Sequence, residues 1–121
     1  MADIDKELFL QCKAIAQELE SIADNGFYEK SEDDNDDERF FFDETYDTDY
    51  VWRVGQGIIG VRIMVACGGP NIWVDTTERC VHGYWGGSDE ACYLTPETCD
   101  AINDLFRSFA YDDIRNEIDS I

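Results

Sequence analysis

An α+β fold is predicted by three observations. Residues 3–25 place apolar side chains at helical spacing, residues 50–94 fall into short β-like runs separated by turn residues, and Thr95-Pro96-Glu97 opens a second helical stripe. Strands in sequence flanked by helices give two layers: an N-terminal helix, an antiparallel β-meander of about four to five strands, and a C-terminal helix or helices packed on one sheet face. At 121 residues the chain is read as a single domain over 1–121, long enough for one modest core. It shows no internal repeat.

In the first helix Ile4, Leu8, Ile15, Leu19 and Ile22 share a face and Cys12 fills the gap between them. Asp3, Asp5 and Glu7 sit at the positive end of the helix dipole, and Asn25-Gly26 is a stop signal. The opposite side carries Lys6, Lys13, Gln17, Glu18 and Glu20, so one stripe packs on a sheet.

The strands are expected at 50–54, 58–66, 71–75, 80–85 and 91–94. Their short connections require antiparallel neighbours. In the apolar run 58–66, Ile59, Val61, Ile63 and Val65 are expected on one face and Gly60, Arg62, Met64 and Ala66 on the other. Trp52, Trp73, Tyr84 and Trp85 read mainly as cross-strand packing residues, with one or two of them left exposed as interface anchors.

Thr95 is suited to cap the last helix and Pro96 to begin it. Cys99, Ile102, Leu105, Phe106 and Phe109 form its apolar face. Near Ala110-Tyr111-Asp112 the stripe falters. Two outcomes are open: one helix running to about residue 119, or a second short helix capped by Asp112 and bearing Ile114, Ile118 and Ile121.

Between the first helix and the meander lies an acidic insertion at about 29–49. It holds 11 of the chain's 28 carboxylates. Residues 29–38 show no periodicity and read as a loop, Phe40-Phe41-Phe42 as a short strand anchoring its far end, and 43–49 as polar loop again. The tract is internal and interleaved with Phe40, Phe41, Phe42, Tyr46 and Tyr50, which a bare solubilising spacer does not need.

The formal charge of −19, from 28 acids against nine Lys and Arg, is the dominant compositional fact. Charge of that size strains the compact state by self-repulsion. Direct binding to nucleic acid is excluded, because that affinity comes from cations neutralising phosphates. An anionic membrane is excluded on the same ground, and no run approaches the length of a membrane span. The natural partner is a basic protein surface. At 44% apolar residues the chain is not a disordered acidic tail.

Cys12, Cys67, Cys80, Cys92 and Cys99 are odd in number, and Met1-Ala2-Asp3-Ile4-Asp5 has no signal-peptide character. The expectation is reduced thiols in the cytoplasm.

Chemistry is sparsely signalled. Cys80 and His82 alternate onto one strand face, with Cys92 further on, so a small zinc or thiol enzyme using Cys80, His82 and Cys92 is the alternative reading. The paired knuckles of structural zinc sites are missing. The acidic run lacks the Gly and terminal Glu register of an EF-hand. Gly68-Gly69-Pro70 and Gly86-Gly87 lead into strands, where phosphate loops lead into a helix. No catalytic residue, metal or cofactor is assigned, and the expectation is a binding protein and not an enzyme.

The segments Gly68-Gly69-Pro70-Asn71-Ile72-Trp73-Val74-Asp75-Thr76, Val81-His82-Gly83-Tyr84-Trp85-Gly86-Gly87 and Cys99-Asp100-Ala101-Ile102 resemble small acidic proteins carried by phages and mobile elements. In charge and size the whole chain resembles anti-CRISPR and antirestriction inhibitors of the DNA-mimic type. The resemblance implies an inhibitor that occupies the nucleic-acid channel of a defence nuclease, foremost a CRISPR-Cas effector. The expected contact set is Glu32, Asp33, Asp34, Asp36, Asp37, Glu38, Asp43, Glu44, Asp47 and Asp49. An immunity protein that neutralises a cationic nuclease toxin would use the same electrostatics.

Overall fold

The first apolar stripe folds as helix α1, Ala2–Ile22, which ends in a 3-10 turn, Ala23–Asn25, closed by Gly26 in the left-handed conformation. The computed structural model describes residues 2–29 and 39–119. Leu8, Cys12, Ala16, Leu19 and Ile22 are buried along α1, whereas Ile4 stays exposed. The stripe becomes effective only at Leu8.

Two short strands follow, β1 (Tyr28–Glu29) and β2 (Arg39–Phe40), paired antiparallel. The main sheet has five strands in consecutive order: β3 (Asp47–Arg53), β4 (Gly57–Ala66), β5 (Asn71–Asp75), β6 (Cys80–Trp85) and β7 (Ser88–Tyr93). Every neighbouring pair is antiparallel, as expected of a meander. Helix α2, Pro96–Asp119, closes the described chain.

Val61, Ile63, Ile72, Val74 and Val81 point to one face and join Leu8, Leu19, Ile102 and Phe106 in a single core. Helix α1 lies over β6 and β7, and α2 lies over β4. Both helices therefore cover the same face, and the fold is α+β in two layers. Gly83 shows how close α1 comes: a Cβ there would lie 2.7 Å from Cys12 Sγ and 2.8 Å from Leu8 Cδ1.

The strand limits differ from the sequence expectation chiefly in three places, the first being the short strand expected at Phe40-Phe41-Phe42, which covers Arg39–Phe40 and leaves Phe41 and Phe42 in the turn that follows. Asp47, Thr48 and Asp49 belong to β3, paired with Met64, Ile63 and Arg62, instead of to a polar loop. The ten-residue β4 presents a long row of backbone groups that need partners, and this outweighs the low strand propensity of aspartate. Strand β7 begins at Ser88, because Trp85 pairs with Ser88 across a two-residue Gly86-Gly87 turn. The alternation in β4 is also interrupted. Val51 pairs with Gly60 and Trp52 with Ile58, so a bulge skips Ile59 and brings Ile58 into the interior.

The choice left open at the C-terminus resolves to one unbroken helix, with no second helix capped by Asp112. Ala110 is its last buried residue, and residues 111–119 are all exposed. The stripe falters there because the helix outruns the core, not because it ends.

The two helices are joined by Glu20. Its carboxylate accepts from the Thr95 backbone N–H at 2.7 Å, from Thr95 Oγ1 at 2.9 Å and from Thr98 Oγ1 at 2.6 Å, while Thr95 Oγ1 accepts from the Thr98 N–H and caps α2. Burial pushes the Glu20 carboxyl up, but the three donors outweigh it and hold the group below the usual glutamate range. A depressed carboxyl contributes stability above its unfolded value, near 4.3, and that contribution is lost as pH falls through the lower folded value. Glu20→Gln is therefore expected to destabilise the protein by about 1 kcal/mol at pH 7, a modest figure because the group is partly solvated. The difference from wild type should shrink below about pH 4. Urea unfolding across pH checks this, and a constant difference would contradict it.

Candidate partner-binding surface

The acidic tract is held at its root by aromatic packing. Phe27, buried and at φ 66°, opens the segment, and Phe42, also buried, closes it. Their rings lie 5.6 Å apart, and Phe42 meets Phe41 at 5.0 Å and Phe106 of α2 at 5.1 Å. Phe40 packs at a tilt against Tyr28, 5.1 Å between ring centres, and reaches Phe109 at 6.4 Å. The Phe41 N–H donates to the Phe27 carbonyl at 2.8 Å, and Glu29 pairs with Arg39. The chain on either side of residues 30–38 thus starts and returns at one point, beside α2.

Crowding of carboxylates is felt at this root. Burial raises the Glu18 carboxyl, and the hydrogen bond and charge of Glu29 raise it further against the opposing pull of Arg39. The Glu44 and Tyr46 side chains share a cleft with Glu29 and Arg39.

Six of the ten expected contact residues, Glu32, Asp33, Asp34, Asp36, Asp37 and Glu38, lie outside the described residues. The other four are placed. Asp43 and Glu44 are exposed just beyond the aromatic anchor, and Asp47 and Asp49 are exposed on β3. Asp47 and Asp49 point to the sheet face that no helix covers, because Thr48 and Tyr50 take the alternate positions. The Asp49 carboxylate lies 3.7 Å from the Arg62 guanidinium, which also pairs with Asp75 at 3.2 Å and lies 4.6 Å over the Trp73 ring. Arg62 therefore neutralises part of this face, while Asp47 adds to the negative edge.

The same face carries His82, stacked on Tyr84 at 4.4 Å and hydrogen-bonded to the Asp89 carboxylate. Strand alternation puts Cys80 beside His82 on the open face, whereas Cys92 lies on the opposite side with Lys13, Ala16 and Glu20 of α1. The three side chains of the alternative enzyme reading do not converge. Among the described residues no three His, Cys, Asp or Glu side chains form a group able to hold a metal ion. Burial, followed by Asp75, Glu78, Asp89 and Cys92, pushes the Cys80 thiol up. Burial likewise raises Cys12 and Cys99, each to about 11. A raised thiol pKa disfavours the reactive thiolate.

The sequence reading leaves one or two of Trp52, Trp73, Tyr84 and Trp85 exposed without choosing among them, and it does not mark Tyr111. Trp52 is 63% exposed and Tyr111 is 86% exposed, on facing sides of a groove between the β3–β4 hairpin and α2. Trp85, by contrast, packs against the core. The signal that marks the α2 side is the spacing of Tyr111, Ile114 and Ile118, which continues a helical stripe past the last core residue.

No family model, no curated protein and no solved structure matches this chain.

Proposed function

We propose that this protein is an inhibitor that docks on the basic nucleic-acid-binding surface of a defence nuclease, foremost a CRISPR-Cas effector, and blocks DNA binding with carboxylates that stand in for phosphates. The observation that carries the reading is the −19 charge combined with an internal acidic tract rooted on both sides in the aromatic cluster of Phe27, Phe40 and Phe42. Both flanks of the tract meet in the β1–β2 pair, where Glu29 faces Arg39, so the tract joins the folded body at one place.

Nucleases that hold a guide–target duplex line their channels with Lys and Arg. A field of this sign and size steers such a surface into encounter. Arginines of the target then pair with Asp and Glu in bidentate fashion. Glu32, Asp33, Asp34, Asp36, Asp37, Glu38, Asp43, Glu44, Asp47 and Asp49 form the proposed contact set. The protein acts by binding and needs no cofactor. No described helix is long and apolar enough to cross a membrane.

The test is a variant carrying Asp33→Lys, Asp34→Lys, Asp36→Lys and Asp37→Lys, measured against purified CRISPR-Cas effectors. The variant is expected to associate about 10–100-fold more slowly at low salt and to lose most of the salt dependence of its on-rate. DNA cleavage by the effector should recover in parallel. Unchanged association would remove the tract from the interface, and failure of the wild-type protein to bind any effector would remove the reading.

A further inference from the structure

Where α2 outruns the core it stands off the β3–β4 hairpin and leaves two grooves that share Ile114 in their walls. One, of about 510 Å³, is bounded by Trp52, Ile58 and Tyr111, and the other, of about 500 Å³, by Thr48, Tyr50 and Ile118. Trp52 and Ile118 are each 63% exposed and Tyr111 is 86% exposed. A helix end gains little by leaving such side chains in water, since helical stability in proteins comes mainly from packing an apolar face. Trp and Tyr are enriched in binding hot spots, and a contiguous exposed apolar patch marks an interaction site. The overhang is held in place by the Tyr50 hydroxyl, which donates to the Asp113 carboxylate at 2.5 Å and joins β3 to α2.

We propose that these two grooves seat a cationic amphipathic segment of the protein's partner, its apolar side chains filling the grooves and its lysines and arginines meeting the carboxylates beside them. The charge distribution selects this occupant. Residues 111–119 carry Asp112, Asp113, Glu117 and Asp119 against Arg115 alone. A second copy of this chain would bring the same carboxylates, and a second charge of −19, against them. Asp113 and Glu117 line the second groove together with Ile114 and Ile118, so a segment seated there meets carboxylates in the same walls as the apolar side chains. The inference rests on the reading that the partner is cationic and adds an apolar anchor to it. Steering by charge weakens with salt, whereas burial in the grooves does not.

The experiment uses the intact protein and two synthetic probes: a peptide of lysines and leucines in amphipathic helical order, and its counterpart with every leucine replaced by serine. Binding is read by fluorescence anisotropy at low salt and at about 0.3 M salt. The lysine–leucine peptide is expected to bind about tenfold tighter than the serine peptide and to remain bound at the higher salt. The double variant Trp52→Ala/Ile118→Ser should lose that tenfold advantage and keep its affinity for the serine peptide. Tyr111→Ser serves as a second variant, and circular dichroism verifies that each is folded. Equal binding of the two peptides, or a leucine advantage that survives both variants, overturns the groove while binding of the serine peptide leaves the cationic-partner reading standing. If neither peptide binds at low salt, both fall. A dimer seen by sedimentation equilibrium and abolished by the same substitutions would make a second copy the occupant and overturn the proposal.

Discussion

Phe27→Ala is expected to lower folding stability by about 3–5 kcal/mol, the range for truncating a fully buried aromatic. Phe27 is 1% exposed and packs on Phe42, which in turn meets Phe106 of α2. Its φ of 66° places it in the left-handed region, where alanine and phenylalanine carry the same Cβ penalty. The loss therefore reports packing and not backbone strain. Phe27→Gly removes the Cβ altogether, so it should be no less stable than the alanine variant, the reverse of the usual order in regular structure. Urea unfolding gives the stability directly from the midpoint and slope. The acidic tract is rooted in this ring, so hydrogen exchange at the Phe41 amide, which bonds to the Phe27 carbonyl, should accelerate by the same free energy. A loss below about 1 kcal/mol would mean that the aromatic cluster does not hold the root of the tract.

How much of this arrangement can be read from the chain depends on whether periodicity reports burial at a given place. The β4 strand was legible because 58–66 is a continuous apolar run, and α1 because Leu8, Cys12, Leu19 and Ile22 recur at helical spacing. The start of β3 was not, because Asp47-Thr48-Asp49 is polar and its strand character is imposed by β4 across the ladder. The exchange of Ile58 for Ile59 comes from a bulge that both residues would tolerate equally. The far half of α2 was ambiguous for a different reason. A hydrophobic stripe marks where a helix meets the core, and α2 continues as a helix after that contact ends at Ala110.

The candidate surface divides in the same way. The concentration of acids is plain in the sequence, and so is the aromatic closure at Phe40-Phe41-Phe42. That Asp47 and Asp49 face away from both helices follows once β3 has a register. That one or two of Trp52, Trp73, Tyr84 and Trp85 stay exposed is expected from the chain, whereas the choice of Trp52 is not, since a tryptophan in a β-like segment is more commonly packed. It depends on α2 standing clear of the hairpin, which only the tertiary structure determines.

Thr76→Val is expected to cost about 2–4 kcal/mol, because it deletes one oxygen at the joint that positions α2 on the sheet. Thr76 and Asn103 are both buried. Thr76 Oγ1 accepts from the Val61 N–H at 2.9 Å and donates to Asn103 Oδ1 at 2.7 Å, while the Thr76 N–H donates to the Val61 carbonyl at 3.0 Å. Asn103 Nδ2 in turn donates to the Ile59 carbonyl at 3.5 Å, beside the bulge. Valine matches the shape of threonine but leaves the Val61 N–H and Asn103 Oδ1 without these partners in the interior, which costs more than a bond that water could replace. Thr76→Ser keeps the oxygen and loses only a methyl group, so it should cost about 1 kcal/mol. In a double-mutant cycle, Thr76→Val and Asn103→Ala are expected to couple by about 1–2 kcal/mol. Independent effects would mean that the two side chains do not act as one joint. The same joint orients the helix whose far end walls both grooves. Thr76→Val should therefore also weaken the lysine–leucine peptide more than its serine counterpart, although Thr76 lines neither groove.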